Sequence, residues 1–205
     1  MKVSGPWGLL TVVAIASACD RDALENDAKN VASAATSQVR DLTDATRAEW
    51  DARLKQGGEA AARYVDERLK GWAAESEEGS IERRLAEGAS SAPMVAQIAA
   101  ASAKAVDSET TILPVYRRID APQEDIDQAI GDMPRTEVID GVTVGFKQLS
   151  SLDAEKHLTE KGYLVLWRKD EHLVGFVYRS RKEIDLGALV EQAPAIVRAV
   201  RGATG

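Results

Sequence analysis

The residue best suited to covalent chemistry in this 205-residue chain is its only cysteine, Cys19. A cysteine thiolate can accept an acyl group, attack an electrophile or form a disulfide. The chain has no second cysteine to pair with, so the neighbours of Cys19 decide which chemistry is predicted. Cys19 follows Ala16-Ser17-Ala18 directly, at the end of an uncharged apolar stretch from Trp7 to Ile15.

Residues 1–18 have the three parts of a secretory signal peptide. Lys2 and the amino terminus are positive, residues 7–15 are apolar, and Ala16-Ser17-Ala18 have the small side chains that a signal peptidase requires. A membrane-spanning helix needs about 20 apolar residues, so this run is too short to span a bilayer. The sequence therefore predicts a signal peptide over residues 1–18 and export of the rest.

With Cys19 next in line, residues 1–20 resemble the lipobox of bacterial lipoproteins. The resemblance implies that a diacylglyceryl group joins the Cys19 sulfur, that cleavage occurs just before it, and that the new amino terminus receives a fatty acid such as palmitate. Ala16 departs from the pattern, because the family prefers leucine there. The implied location is the bacterial cell envelope, with the protein facing the periplasm. Alternatively, Ala16-Ser17-Ala18 is an ordinary cleavage site, and the protein is secreted in soluble form.

Asp20 bears on the choice of membrane. In lipoproteins of enteric bacteria, an aspartate directly after the lipidated cysteine resembles a signal for retention at the inner membrane. We therefore expect the inner membrane rather than the outer one. The alternative is that Asp20 and Asp22 cap the helix predicted to follow.

We predict no catalytic residue, no metal site and no cofactor. The two histidines, His157 and His172, have charged neighbours, and such positions are usually exposed. A metal site built from them would need carboxylate ligands that the spacing does not supply. No serine lies on a strand–turn–helix elbow, and Gly57-Gly58 lacks the Lys-Ser or Lys-Thr of a phosphate-binding loop. The expected protein is not an enzyme.

Charge excludes one class of partner and suggests another. The net charge of −7 argues against nucleic acid, because a basic surface supplies most of the affinity for phosphate backbones. One basic cluster on two neighbouring predicted strands is a candidate patch for an acidic partner protein or a lipid head group. Alternatively, it is a charged strand edge that prevents intermolecular pairing. The cluster contains Arg168, Lys169, Arg179, Arg181 and Lys182.

Residues 19–107 are predicted to be helical, because they are rich in alanine and charge and carry apolar residues at three- and four-residue steps. Gly57-Gly58 interrupts the pattern, and shorter helices are expected over Ile81–Glu87 and Met94–Val106. Three arrangements are open. The helices form a stalk or hairpin, they fold back onto residues 108–205, or they form a partly disordered tether.

Residues 108–205 are predicted to form an α+β domain with a mostly antiparallel sheet and three helices. Thr110–Tyr116 is predicted as a strand that either lies at a sheet edge or ends early, because it contains Pro114. A hairpin turning at Asp140-Gly141 is predicted over residues 137–149, and a second joins residues 163–168 to 173–179. Tyr163–Trp167 is apolar on both faces, which indicates a central strand. The predicted helices are Pro122–Ile130, Ser151–Lys161 and Asp185–Arg201.

These features favour a non-enzymatic, lipid-anchored envelope lipoprotein that acts as a protein-interaction or scaffold module. Its partners would be the membrane, through the acyl groups on Cys19, and a protein that the sequence does not identify. One alternative is an inhibitor or immunity protein against an envelope-attacking toxin, since an acidic domain suits a basic active site. Another is a hydrolase whose catalytic residues are scattered along the sequence.

Overall fold

The computed structural model describes residues 44–205, except residues 75, 78, 153–157 and 183. Within that part, five strands form one antiparallel sheet in the order β1-β5-β4-β3-β2, and helices pack on it, which confirms the predicted α+β class. The helices are α1 (44–56), α2 (Gly58–Ala73), α3 (Ile81–Glu87), α4 (Ala92–Ser102), α5 (Gln123–Gly131) and α6 (Leu186–Thr204). The strands are β1 (Thr110–Arg118), β2 (Arg135–Ile139), β3 (Val142–Leu152), β4 (Leu158–Lys169) and β5 (His172–Ser180).

Two tight turns build the hairpins of the sheet. Asp140 and Gly141 join β2 to β3 with φ angles of 49° and 78°, the left-handed conformation that a two-residue hairpin turn requires. Asp170, with φ of 53°, occupies the first position of the turn between β4 and β5. Both predicted hairpins are confirmed. The second turn is tighter than expected, because Lys169 and His172 pair with each other as strand residues.

Pro114 marks β1 as an edge strand, as predicted. The Arg181 N–H donates to the Glu109 carbonyl (3.0 Å), and the Ile119 N–H donates to the Glu171 carbonyl (3.2 Å). Because bonded and non-bonded pairs alternate in an antiparallel ladder, the odd-numbered residues of β1 bond to β5. Pro114 therefore faces the outer edge, where its missing N–H costs no ladder bond.

Apolar clusters cover both faces of the sheet, with the predicted central strand β4 between them. Leu164 and Leu166 enter one cluster with residues of α1, α2, α3 and α5. Val165 and Trp167 enter the other, which α6 completes. Alternate residues of β4 are thus buried on opposite sides, as the apolar run at 163–167 indicates.

Helix α4 lies along the outer edge of β1. Val95 and Ala99 belong to the cluster on one face of the sheet, and Ile98 belongs to the cluster on the other. The helix contacts α2, α6 and β1. A helix that reaches both faces and contacts the edge strand must cover that edge.

Helices α1 to α4 pack against the sheet and share its core through residues such as Trp50, Leu69 and Leu85. Of the three arrangements open for residues 19–107, the described residues 44–102 show the one in which helices fold back onto the C-terminal half. The described residues belong to one compact unit. Gly57, with φ of 113°, separates α1 from α2 where the glycine pair predicts a break. Residues 19–43 lie outside the described part.

The helix predicted over Ser151–Lys161 is wrong. Residues 151–152 belong to β3 and residues 158–161 to β4, with Ser150 opposite Lys161 in the ladder; residues 153–157 are not described. Pairing with a neighbouring strand satisfies these backbone groups, and this tertiary contact overrides the local helical pattern. Gly162, which directly follows the predicted helix, is a strand residue opposite Leu149, and a Cβ there would lie 3.2 Å from Val177 Cγ1.

The other helix predictions are confirmed within a few residues. Helix α3 has the predicted bounds, α4 begins two residues early and ends four residues early, and α5 begins one residue late. Asp185 caps α6 by accepting a hydrogen bond from the Ala188 N–H at 2.8 Å. Pro194 lies inside α6.

Candidate functional site

The predicted lipidation residue Cys19 and the predicted sorting residue Asp20 precede the described residues. Both therefore stay predictions from the sequence. His157 also lies outside the described part. The other histidine, His172, is half-buried, and its ring lies 4.7 Å from the Tyr116 ring, centroid to centroid.

The five residues of the predicted basic patch lie at two opposite ends of the β4–β5 hairpin. Arg168 and Lys169 lie beside the turn, and Arg168 is opposite Leu173 in the ladder. The other three residues are at the far end of β5 and just beyond it, from Arg179 onward. Arg179 lies six residue steps after Leu173 on β5, a distance of about 20 Å at 3.4 Å per step. The structure does not bring the five cations together as one patch.

The two cations near the turn bind acceptors on neighbouring helices. Arg168 forms a bidentate salt bridge with Asp127 of α5, with N–O distances of 2.6 and 2.9 Å. The hydrogen bond to Asp127 raises the pKa of Arg168. Lys169 donates to the main-chain carbonyls of Thr204 and Gly205 at the end of α6. These contacts fix α5 and α6 to the end of β4.

The three cations at the far end of β5 are also engaged within the chain. Arg181 contacts Asp44 of α1, and Lys182 contacts Asp107 at 3.1 Å and Glu109 at 2.7 Å. Arg179 is only 2% exposed and donates to the Thr46 hydroxyl of α1. Hydrogen bonds to the carboxylates raise the pKa of Arg181 and of Lys182. The cluster therefore attaches α1 and the loop before β1 to the sheet.

Asp107 supplies a prediction about pH. The Thr110 hydroxyl donates to Asp107 Oδ1 (2.8 Å), and this bond, followed by the one from Lys182, holds the pKa of Asp107 below its ordinary 3.8. A carboxylate whose pKa is lower in the folded state contributes stability above its unfolded pKa, and that contribution is lost as the pH falls through the folded pKa. We expect Thr110→Val to raise the pKa of Asp107. We also expect it to lower the free energy of unfolding more at neutral pH than at a pH where Asp107 is protonated. Carboxyl-carbon NMR titration measures the first effect, and identical titration curves for both proteins would contradict it.

A buried ion pair joins α2 to β1. Arg117 is 0% exposed, and its Nη2 lies 2.8 Å from Oδ1 of Asp66, whose side chain is 22% exposed. The Nη1 group donates to the Gly88 carbonyl, and the Ser90 N–H donates to Asp66 Oδ1 at 3.3 Å. Burial lowers the pKa of Arg117, and the charge of Asp66 opposes that change. The group joins α2, the loop after α3 and β1, with the guanidinium fully buried and the carboxylate partly exposed.

Sequence reasoning missed this pair, although one signal was available. Arg117 follows Leu113 and Val115 at two-residue steps, so the three side chains point to the same face of β1. That face is buried, and an arginine on it requires an internal partner. The identity of the partner depends on the packing of α2, which the sequence of β1 does not contain.

A second buried carboxylate, Glu82 of α3, was also missed. It is 4% exposed, and its Oε1 contacts the Nζ of Lys147 on β3. Its Oε2 has no hydrogen-bond partner among the described residues. A carboxylate that is already paired with an ammonium group, and that lines none of the cavities below, is best explained as an internal ion pair.

The described part of the chain has several cavities, and three of them differ in volume and lining. One, of about 570 Å³, has three arginines and three carboxylates around it, between α3 and the loop that precedes α5. A second, of about 490 Å³, lies at the end of α6 beside Arg198 and Arg201. The third, of about 330 Å³, separates α1 from α4 and is called the α1–α4 cleft below. Its lining includes Trp50, Leu54 and Thr111.

Within the residues that the structure describes, no group of three or more His, Cys, Asp or Glu side chains is placed to hold a metal ion. In the same part of the chain, no helix combines the length and the hydropathy that crossing a bilayer requires. No protein-family model, curated protein or solved structure matches this chain. Any functional conclusion must therefore come from the chain's own residues.

Proposed function

We propose that the chain is an exported lipoprotein of a bacterial cell envelope, anchored by acyl groups on Cys19. Residues 44–205 would act as a non-enzymatic protein-interaction module next to the membrane. One observation carries the proposal. The chain's only cysteine directly follows three small residues at the end of a short, uncharged apolar run. An exported cysteine in any other role would be a free thiol open to oxidation or mispairing.

The described fold is compatible with this role. Both faces of the sheet are buried by apolar side chains, so folding outside the cytoplasm does not depend on disulfides. The cations that we predicted as a docking patch are engaged with acceptors inside the chain. Partner recognition by the module would therefore rest on other surfaces than the five-residue cluster.

The distance from anchor to domain has an upper bound. Residues 20–43 lie between Cys19 and the first described residue, Asp44. That connection contains 25 Cα–Cα steps, which span at most about 85 Å at 3.4 Å per step. In a lipid-anchored chain, Asp44 would thus lie no farther than that distance from the bilayer surface. Two or more acyl chains suffice for durable attachment, because each buried methylene contributes about 0.8 kcal/mol.

Metabolic labelling with an alkyne fatty acid tests the anchor. We expect the chain expressed in a bacterium to incorporate the label, and Cys19→Ser to lose it completely, because serine offers no sulfur for the diacylglyceryl group. The matched control Ser17→Cys/Cys19→Ser moves the cysteine by two positions and should also stay unlabelled. In-gel fluorescence after coupling to a dye measures all three.

Two results would contradict the proposal. One is label that persists in Cys19→Ser, since the acyl group would then be elsewhere. The other is intact-mass analysis of the purified wild-type chain that shows an unmodified Cys19 or a product beginning at Met1.

A further inference from the structure

The α1–α4 cleft has walls from three elements. Arg47, Trp50, Asp51 and Leu54 follow one another at helical spacing and share one face of α1. Ala99 and Ser102 of α4 and the following residue Ala103 form the second wall, and the first residues of β1 close the floor. The volume of about 330 Å³ lies at the lower end of the range for small-molecule sites, roughly 300–1,000 Å³.

The floor of the cleft carries a buried polar group without a partner. Thr111 is 4% exposed, and its Oγ1 has no hydrogen-bond partner among the described residues. The other buried hydroxyls of the lining are satisfied. Ser102 donates to the Ile98 carbonyl at 2.8 Å, and Thr110 donates to Asp107 at 2.8 Å. Buried hydroxyls are rarely left unpaired, so the Thr111 hydroxyl is available to a ligand.

The charged groups around the cleft do not require a bound ion to balance them. Arg47 lies 4.0 Å from Asp51 on the next turn of α1. Asp107 is bonded to Thr110 and to Lys182. Each charge of the lining thus has an opposite or hydrogen-bonding partner, and the apolar part of the lining includes the Trp50 indole and the Leu54 side chain.

We propose that the α1–α4 cleft binds an uncharged organic molecule with an aromatic or aliphatic body and one hydroxyl or amide group. The body packs against Trp50 and Leu54, and the polar group exchanges a hydrogen bond with the Thr111 hydroxyl. The site is independent of the lipid anchor and goes beyond the interaction role proposed above.

A matched pair of probes tests the site on the full-length, isotope-labelled chain. Benzyl alcohol and toluene share the aromatic ring, and only the former carries a hydroxyl. In NMR titrations we expect benzyl alcohol to cause saturable shifts of the Trp50 indole N–H and the Thr111 amide. Thr111→Val keeps the shape and removes the hydroxyl. It should weaken benzyl alcohol binding about fivefold, as one hydrogen bond predicts, and leave toluene binding unchanged.

Two further variants separate the cleft from general effects on the fold. Ala103 is exposed at the mouth of the cleft, so Ala103→Phe should block both probes. Ala100 is exposed on α4 but does not line the cleft, so Ala100→Phe should bind both normally. The proposal is overturned if benzyl alcohol gives no saturable shift at these residues. It is also overturned if Thr111→Val or Ala103→Phe binds benzyl alcohol as tightly as the wild-type chain.

Discussion

Asp66→Ala is expected to lower the free energy of unfolding by about 3–5 kcal/mol, the usual cost of leaving one member of a buried ion pair uncompensated. Arg117 is fully buried, and among the residues that the structure describes its one ion pair is the 2.8 Å contact with Asp66. Burial lowers the pKa of Arg117, but an arginine guanidinium in a protein keeps its charge at neutral pH. Removing Asp66 therefore leaves a positive charge inside the core, with the Gly88 carbonyl as its remaining described acceptor.

Replacing Arg117 should lower the free energy of unfolding less than replacing Asp66 does. Asp66 is 22% exposed, so in Arg117→Met its carboxylate can be hydrated and keeps the hydrogen bond from the Ser90 N–H. We expect Arg117→Met to lose about 1 kcal/mol through imperfect packing. The double variant Asp66→Ala/Arg117→Met should be more stable than Asp66→Ala alone. Urea unfolding of the three variants measures this order, and equal losses for the two single variants would contradict it.

Gly175→Ala is expected to destabilise the protein by about 3 kcal/mol or more, a strong case of overpacking. A Cβ at this position would lie 1.9 Å from the Val165 carbonyl oxygen and 3.0 Å from the Leu166 Cα. Both are backbone atoms of β4, so no side-chain rotation relieves the clash. Strand β5 cannot move aside, because it lies between β4 and β1 in the sheet.

Gly71 supplies the matched control for that substitution. It is an exposed residue of α2, and a Cβ there would have nothing within 4 Å. Gly71→Ala should raise the free energy of unfolding by up to about 1 kcal/mol, because alanine favours helix. Thermal and urea unfolding compare the two. A loss at Gly175 no greater than the usual effect of an exposed strand substitution would show that the sheet accommodates a side chain there.

The elements best predicted from the sequence are those whose signals are local. Asp140-Gly141 specifies a two-residue turn, and Asp185 caps α6 three residues before its bonded N–H. Pro114 indicates an edge strand because its own ring removes the donor. Each of these signals acts within a few residues, so distant packing does not override it.

The wrong predictions involve contacts that single segments do not reveal. The segment from Ser151 to Lys161 was predicted as a helix, but its described residues pair as strands in the β3–β4 hairpin. Arg179 was grouped with other cations as a candidate patch or a charged strand edge, but it is buried. Its hydrogen bond to Thr46 joins residues 133 positions apart, which no local pattern reveals.

The candidate sites also depend on tertiary contacts that the sequence does not show. Two neighbouring strands do carry the basic residues that we grouped, but the ladder register puts Arg168 and Arg179 at opposite ends. The α1–α4 cleft could not be predicted, since it exists only where α1 and α4 meet the start of β1. In the sequence Thr111 is an ordinary strand residue, and only the structure shows that its hydroxyl is buried without a described hydrogen-bond partner.

The position of α4 has a consequence for how molecules can associate. Growth of a continuous intermolecular sheet requires two free edges on every molecule. In the described chain α4 covers the outer side of β1, so only β2, the short strand that carries the exposed Val138, offers unpaired backbone groups. Edge-to-edge pairing would therefore stop at two molecules, and crowding could not convert this fold into a fibre by simple strand addition.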